Sequence, residues 1–527
     1  MAASELVFKT AVELARLIRE RELSCIEVMR AHIEQIERVN PKVNAVCTLV
    51  TESALKQAEA LDKVGVQGGS PRSRSGGAKG ASVSPLLGLP VGVKDLQATA
   101  GIRTTYGSRI YKDFVPEDDS LIVQRYKAAG AIVIGKTNTP EFGAGSHTFN
   151  EVFGKTLNPY DLTKTCGGSS GGSAVGLACG LFPVATGSDL GGSLRNPAAW
   201  NNVVGIRPSI GRIPRRPNAL GWNSLSVDGP MGRTVADVAL QMSIAAGPDS
   251  AAPVSFDDDP AMFAQRMEWD AQAGRPVDVL RQVRGVRRRR RIRIAWSRDL
   301  GRYPIDPAVT SVVDGQRKVF ESLGCEVEDA SPDLSDADEI FQVYRAYAFA
   351  QQHERHLSEH RDLMKQTVVW NTEQGLKLSA LDMARAEEKR TRLYERAVSF
   401  FEMYDFLVLP TTSVPPFPVD QEYVTEINGV KLKTYIDWFA ICYAISVTGF
   451  PAISVPAGFT GPLKAKRPTP APRARSLLKE PAVTGRTSGL PVGLQIVGGP
   501  RQDLAVLQIA HAYEQSTHIG EMRPGRA

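Results

Sequence analysis

Three stretches of this 527-residue chain gather residue types that do covalent chemistry: GLPVGVKD at 88–95, CGGSSGGSAVG at 166–176 and TGSDLGGSLRNPAAWNNVVGIRPS at 186–209. Successive glycines carry no Cβ, so their N–H groups can turn into one concavity. In Leu190-Gly191-Gly192-Ser193 such donors would surround the Ser193 hydroxyl. A nucleophile ringed by donors for a developing oxyanion is what acyl transfer requires. The competing use of such a loop is to cradle phosphate. Neither Gly-Ser segment carries the Gly-Lys-Ser/Thr ending of a phosphate loop, and the first does not fit GxGxxG opening a dinucleotide unit. A Gly- and Ser-rich loop alone is weak evidence for either chemistry.

The elements that must position these residues alternate between helix and strand. Thr10, Leu14, Leu17 and Ile18 recur at helical spacing, and Ser24 reads as the N-cap of a second helix carrying Val28, Ile33 and Ile36. An apolar strand at 86–94 ends on Lys94. Residues 120–138 read as helix, a stop at Gly130, then the buried strand AIVIGKTN. SAVGLACGL is a helix candidate inside the second segment. RIRIAW, a helix at 307–323 and the strand GCEVEDA follow. Residues 333–403 are charged and helical, and DFLVLPTT, AISVPAG and VGLQIVGG close the core as strands. The pattern predicts one α/β domain over 1–527 with a mainly helical subregion at 240–403. A flexible Gly/Ser-rich insert at 66–84 and a disordered, basic, Pro-rich loop at 461–488 would interrupt it.

Composition excludes several classes. Hydrophobic residues at 42% and charged residues at 23% are ordinary for a globular protein, and the net charge is only +6. Much of that charge sits in the run Arg287 to Arg291, which reads as a solvated lead into a strand, so no nucleic-acid partner is expected. Six cysteines at 25, 47, 166, 179, 325 and 442 form no CxxC pair and read as reduced, mostly buried thiols. The N-terminus lacks a basic region followed by an apolar core, and no 18 apolar residues run together, so a cytoplasmic protein without a membrane partner is expected. His353, His356 and His360 share a helical face, but without HExxH order they read as a solvated surface, and no metal is expected.

In combination, the three segments resemble the amidase signature family, whose members share GGSSGGS and D-x-GGS-x-R-x-PA segments. Ser169 lies 24 positions before Ser193, as in that family, and Lys94 ends the V-G-V-K-D stretch. Weaker likeness runs through GPMGRTVADVAL, DFLVLPTT, TGFPAISVPAGF and GLPVGLQIVG and covers most of the chain apart from the basic inserts. The resemblance implies a central mixed, twisted β-sheet covered by many helices on both faces. It implies hydrolysis of a C–N amide bond without metal or organic cofactor.

Carried over residue by residue, the resemblance makes Ser193 the nucleophile, Ser169 the bridging serine on a cis peptide after Gly168, and Lys94 the terminal base. The N–H groups of Leu190, Gly191, Gly192 and Ser193 would form the oxyanion hole. Ser170 would hydrogen-bond near Lys94, Asp189 and Arg195 would pair to hold the loop, and Cys166 would pack. A lysine, with its reference pKa near ~10.4, serves as a base at neutral pH only when burial favours its neutral form. The apolar approach Leu89 to Val93 is compatible with that. Candidate pocket residues are Trp200 to Asn202, Trp222, the helix around Trp370, and Trp438, Phe439 and Tyr443. The amidotransferase branch of the family binds the α-amino group of glutamine with an aspartate ten positions before the glycine of G-x-P-x-I-S-V-P. Counted from Gly449, that position here is Phe439. A small amide with an apolar or aryl group is the expected substrate. The alternative is a carbamate, or glutamine handled within a tRNA-dependent amidotransferase. The resemblance is compatible with a homodimer.

Overall fold

Runs such as PVGVK, IVIGKT and VATGSD become neighbouring strands buried along nearly their whole length. The computed structural model describes residues 3–67, 84–265, 267, 269–270, 275–276, 291–461 and 489–525. The inserts at 66–84 and 461–488, and the arginines before Arg291, lie outside the described residues apart from their ends.

One mixed sheet contains β1 (Val46–Leu49), β2 (Pro90–Lys94), β3 (Ile132–Thr137), β4 (Val184–Asp189), β5 (Val204–Arg207) and β6 (Val227–Gly232). It continues with β7 (Arg293–Trp296), β8 (Glu326–Asp329), β9 (Phe406–Pro410), β10 (Ala452–Phe459) and β11 (Pro491–Gly498). The order across it is β1-β3-β2-β4-β6-β5-β10-β11-β9-β7-β8. β2 runs parallel to both β3 and β4, so their C-terminal ends share one edge. The steps from β4 through β9 are antiparallel. All eight residues of β10 and of β11 are buried. Successive strand side chains point to opposite faces, so helices and loops cover both faces there.

The helices that matter for the site are α1 (Cys25–Val43), α2 (Gly171–Ala178), α3 (Arg195–Trp200), α4 (Ala337–His360), α5 (Gln366–Leu376) and α6 (Ala440–Thr448). Ser24 caps α1 reciprocally with Glu27, which satisfies two otherwise orphaned donors. α2 packs on β2, β3, β4 and β6. Its first turn lies directly on backbone: a Cβ at Gly172 would stand 2.3 Å from Asn138 N and 2.5 Å from Ala45 O. Two local expectations are corrected. The strand placed at 86–94 begins only at Pro90, because Gly88 turns the chain with φ +71°. The helix placed at 307–323 is two, Pro307–Asp314 and Arg317–Ser322, broken at Gly315, a residue that weakens helix interiors. Among the described residues no helix is long and apolar enough to cross a membrane.

Gly172→Ala therefore tests how tightly α2 is seated. The added methyl meets backbone that cannot rotate away, and overpacking of this kind costs about 1–3 kcal/mol. A lowered urea midpoint is expected.

Candidate active site

The parallel pairing of β2 and β4 brings their ends together, which places Lys94 beside Ser188. Lys94 is wholly buried. Its Nζ donates to Ser169 Oγ at 2.7 Å, Ser170 Oγ at 2.9 Å and Ser188 Oγ at 3.0 Å, with the Ser188 carbonyl at 3.5 Å. Burial pushes its pKa down to about 7, against the pull of Asp228 and Asp189. A fraction of the amine is then neutral at physiological pH, so it can accept a proton as well as donate. The peptide between Gly168 and Ser169 is cis. Side chains fix the backbone before it: Ser146 Oγ donates to Gly168 O at 2.6 Å and Thr148 Oγ1 to Gly167 O at 2.7 Å. Ser170 N donates to Ser193 O at 3.2 Å, which ties the two Gly-Ser segments to each other.

Ser193 sits between β4 and α3, half-buried. Asp189 organises this turn from beneath. Its carboxylate accepts from Gly192 N at 2.8 Å, Leu194 N at 3.2 Å, Arg195 Nε and Nη2 at 3.0 Å, and Arg207 Nη1 at 3.1 Å. Arg195, Arg207 and Asp189 are all fully buried. Burial alone would raise the Asp189 pKa, but the two guanidiniums hold it far below the usual carboxylate range. The geometry corrects one expectation. The Gly192 N–H is spent on Asp189 and cannot face an oxyanion. Gly192 serves the turn instead, with φ +127° and no room for a Cβ, which would lie 2.7 Å from Cys442 Sγ. Among the described residues, the N–H groups of Leu190, Gly191 and Ser193 have no protein acceptor.

A cavity of about 220 Å³ opens over these groups, bordered by Ser169, Ser188, Leu190, Gly191 and Ser193. Phe142, Phe349 and Phe439 give it apolar walls, and Arg215, Asn218, Asn223 and Asp228 a polar one. Of the aromatic residues expected here, only Phe439 borders it. Trp200 and Trp438 are buried and stacked on each other at 5.5 Å, with Trp200 Nε1 donating to Val414 O. Tyr443 stacks on Phe341 at 4.2 Å and donates to Asp338 Oδ1. These three rings are buried in the core. Trp222 projects outward and is 79% exposed. Trp370 packs edge-on against Tyr435.

The solvated face assigned to the histidines is also corrected. His353 is buried and borders the cavity, its ring 4.3 Å from Phe142. Its Nδ1 meets His356 Nδ1 at 3.2 Å, and His356 Nε2 meets Tyr111 OH at 3.0 Å. Burial takes the His353 pKa down to about 3. No three metal-ligating side chains converge among the described residues. Cys166 is a buried thiol, pushed up to about 12 by burial. Ser188, Asp228 and Arg345 escaped the sequence reading. Arg345 left one signal, a lone charge inside the apolar run VYRAYAFA.

A family model described as Amidase matches residues 27–507. An acylamidase of Rhodococcus erythropolis is 31% identical over 527 residues, covering 99% of this chain and 98% of that protein. A glutamyl-tRNA(Gln) amidotransferase subunit of Carboxydothermus hydrogenoformans is also 31% identical, covering 99% of each. The crystal structure of a bacterial aryl acylamidase superposes with a TM-score of 0.81 at 27% identity, covering 99% of each chain.

Removing the Asp189 charge should unseat the whole turn. Asp189→Asn leaves two buried guanidiniums without their carboxylate, a class of change that costs about 3–5 kcal/mol, read as a loss of unfolding free energy in urea at pH 7. The pH dependence has a definite sign. Because the folded pKa is depressed, the wild-type advantage is present above the unfolded value and lost as pH falls below about 4.

Proposed function

The chain belongs to the amidase family of amide-hydrolysing enzymes, and on that footing we propose that it cleaves a small amide with an apolar or aryl group through an acyl-enzyme on Ser193. The observation that carries this reading is the buried Lys94 amine, 2.7 Å from Ser169 Oγ on the floor of a cavity that Ser193 also borders. Neutral Lys94 takes the Ser169 proton, Ser169 takes that of Ser193, and Ser193 Oγ attacks the carbonyl carbon. The N–H groups of Leu190, Gly191 and Ser193 receive the oxyanion. On collapse the relayed proton passes to the leaving nitrogen, and the C–N bond breaks. Water then repeats the sequence on the ester, releasing the carboxylate and restoring Ser193. Ser170 and Ser188 hold the amine in line and compete for its hydrogens, which favours a lone pair directed at Ser169. The proton path draws only on this chain's own side chains.

One observation favours an apolar or aryl amide over the amide of glutamine. Phe439 borders the cavity at the position where the amidotransferase branch carries its aspartate. An aromatic face gives an ammonium only about 0.5–2 kcal/mol, well short of a carboxylate partner in a confined site. The equal likeness to an amidotransferase protein favours glutamine as the second reading. Carbamates would follow the same acyl-enzyme course.

The test is a set of initial rates on the purified chain without partners. Ser193→Ala should lower kcat/KM for a simple anilide by roughly four orders of magnitude or more, with Ser169→Ala and Lys94→Ala each losing about 10²–10⁴-fold. Wild type should prefer the anilide to glutamine. A Ser193→Ala protein that keeps a tenth of the rate contradicts the nucleophile assignment. A preference for glutamine contradicts the substrate assignment.

A further inference from the structure

α4 turns one face to the cavity, and Arg345, Ala348, Phe349, Gln352 and His353 border it at helical spacing. Arg345 is only 4% exposed, and a guanidinium keeps its charge at any physiological pH. Buried charges are ordinarily matched by an opposite charge. Asp189 matches Arg195 and Arg207 in this way, and Asp228 stands 3.5 Å from Arg215 on the cavity wall.

Arg345 differs. Among the described residues it has no carboxylate at ion-pair distance, and its partners are neutral. Nε donates to Asn371 Oδ1 at 3.2 Å and Nη2 to Tyr435 OH at 2.8 Å. The rings of Phe349 and Tyr435 lie 4.5 and 5.8 Å from the guanidinium carbon. Nη1 makes no hydrogen bond to any described residue. The Tyr435 hydroxyl accepts from both Arg345 and Asn371, so its own hydrogen is also left without an acceptor among them. Among the described residues one charged donor thus remains unmatched on a side chain that borders a cavity with apolar walls, with the Tyr435 hydroxyl beside it.

We propose that Arg345 binds a carboxylate carried by the substrate, so that the amides hydrolysed here bear a second, ionised carboxyl group at the end of an apolar body. This rests on the amide-hydrolase reading above. A carboxylate accepts from a guanidinium in charge-assisted bonds, and it satisfies Nη1 without an ammonium partner, which Phe439 denies to a free amino acid. The carboxyl group belongs either to the acyl half or to the amine half of the amide.

Two matched pairs separate these sources. Glutaranilic acid against 5-methylhexananilide exchanges a carboxylate for an isopropyl group on the acyl side. 4-Acetamidobenzoate against 4-isopropylacetanilide does so on the amine side. With the full-length wild-type chain, the acid of one pair should exceed its neutral partner in kcat/KM by about tenfold or more, the scale of one charge-assisted hydrogen bond. Arg345→Gln should bring that ratio close to unity. Arg345→Lys, which keeps a point charge without the planar fork, should give an intermediate ratio, and it carries the test if the Gln variant does not fold. No preference for either acid in wild type, or a preference that persists in Arg345→Gln, overturns the proposal. Failure of wild type to hydrolyse any of the four compounds overturns the amide-hydrolase reading beneath it.

Discussion

Desolvation of the Lys94 amine is the constraint on which the rest of the site depends. An amine cut off from water favours its neutral form, and here burial outweighs the pull of Asp228 and Asp189 to bring the pKa to about 7. That balance requires a dry strand end, hydroxyl partners in place of carboxylates, and acids near enough to temper the shift. The sheet supplies the first by setting β2 between β3 and β4. Two segments supply the second, with Ser169 and Ser170 from one and Ser188 from the end of β4 converging on one nitrogen. Moving a carboxylate into that ring would favour the ammonium and, under the proposed mechanism, remove the base.

Asp189 is the second centre, and it works in the opposite sense. It is a buried acid kept ionised by Arg195 and Arg207, where Lys94 is a buried base brought toward neutrality. Its bonds to Gly192 N and Leu194 N hold the turn that presents Ser193. The N–H groups of Leu190, Gly191 and Ser193 in the same turn have no acceptor among the described residues, and all three residues border the cavity. Two adjacent strand ends thus carry groups of opposite charge tendency, Lys94 as the proposed proton acceptor and Asp189 as the anchor of the turn.

Much of this was legible in the sequence, for identifiable reasons. Glycine-rich turns and apolar strands leave local patterns, so the three segments and the strand ending on Lys94 could be read from residue order, while the mixed sheet followed from the family resemblance that those segments carry. What could not be read depends on direction in space. Phe439 reaches the cavity while Trp438 and Tyr443 pack in the core, and because Phe439 and Tyr443 are four residues apart on one helix face, no periodicity could have separated them. Gly192 gave no sign that its N–H is taken by Asp189, because that bond closes over three residues in a turn of unknown geometry. The histidines of α4 stand in a polar, charged stretch, and only the packing of Phe142 and Phe349 around His353 reveals that this face is covered. Ser188 became a partner of Lys94 through the pairing of β2 with β4, which no local spacing encodes.

The most direct measurement is the pH dependence of Ser193 phosphonylation by a fluorophosphonate, in which the serine oxygen displaces fluoride, because it reads proton removal without any choice of amide. In wild type the second-order labelling rate should rise through one ionisation near the value of about 7 that burial gives Lys94. In Lys94→Ala it should be slow and without that step. A wild-type ionisation near the ordinary lysine value of ~10.4, or an unchanged profile in Lys94→Ala, would contradict the central role of the desolvated amine.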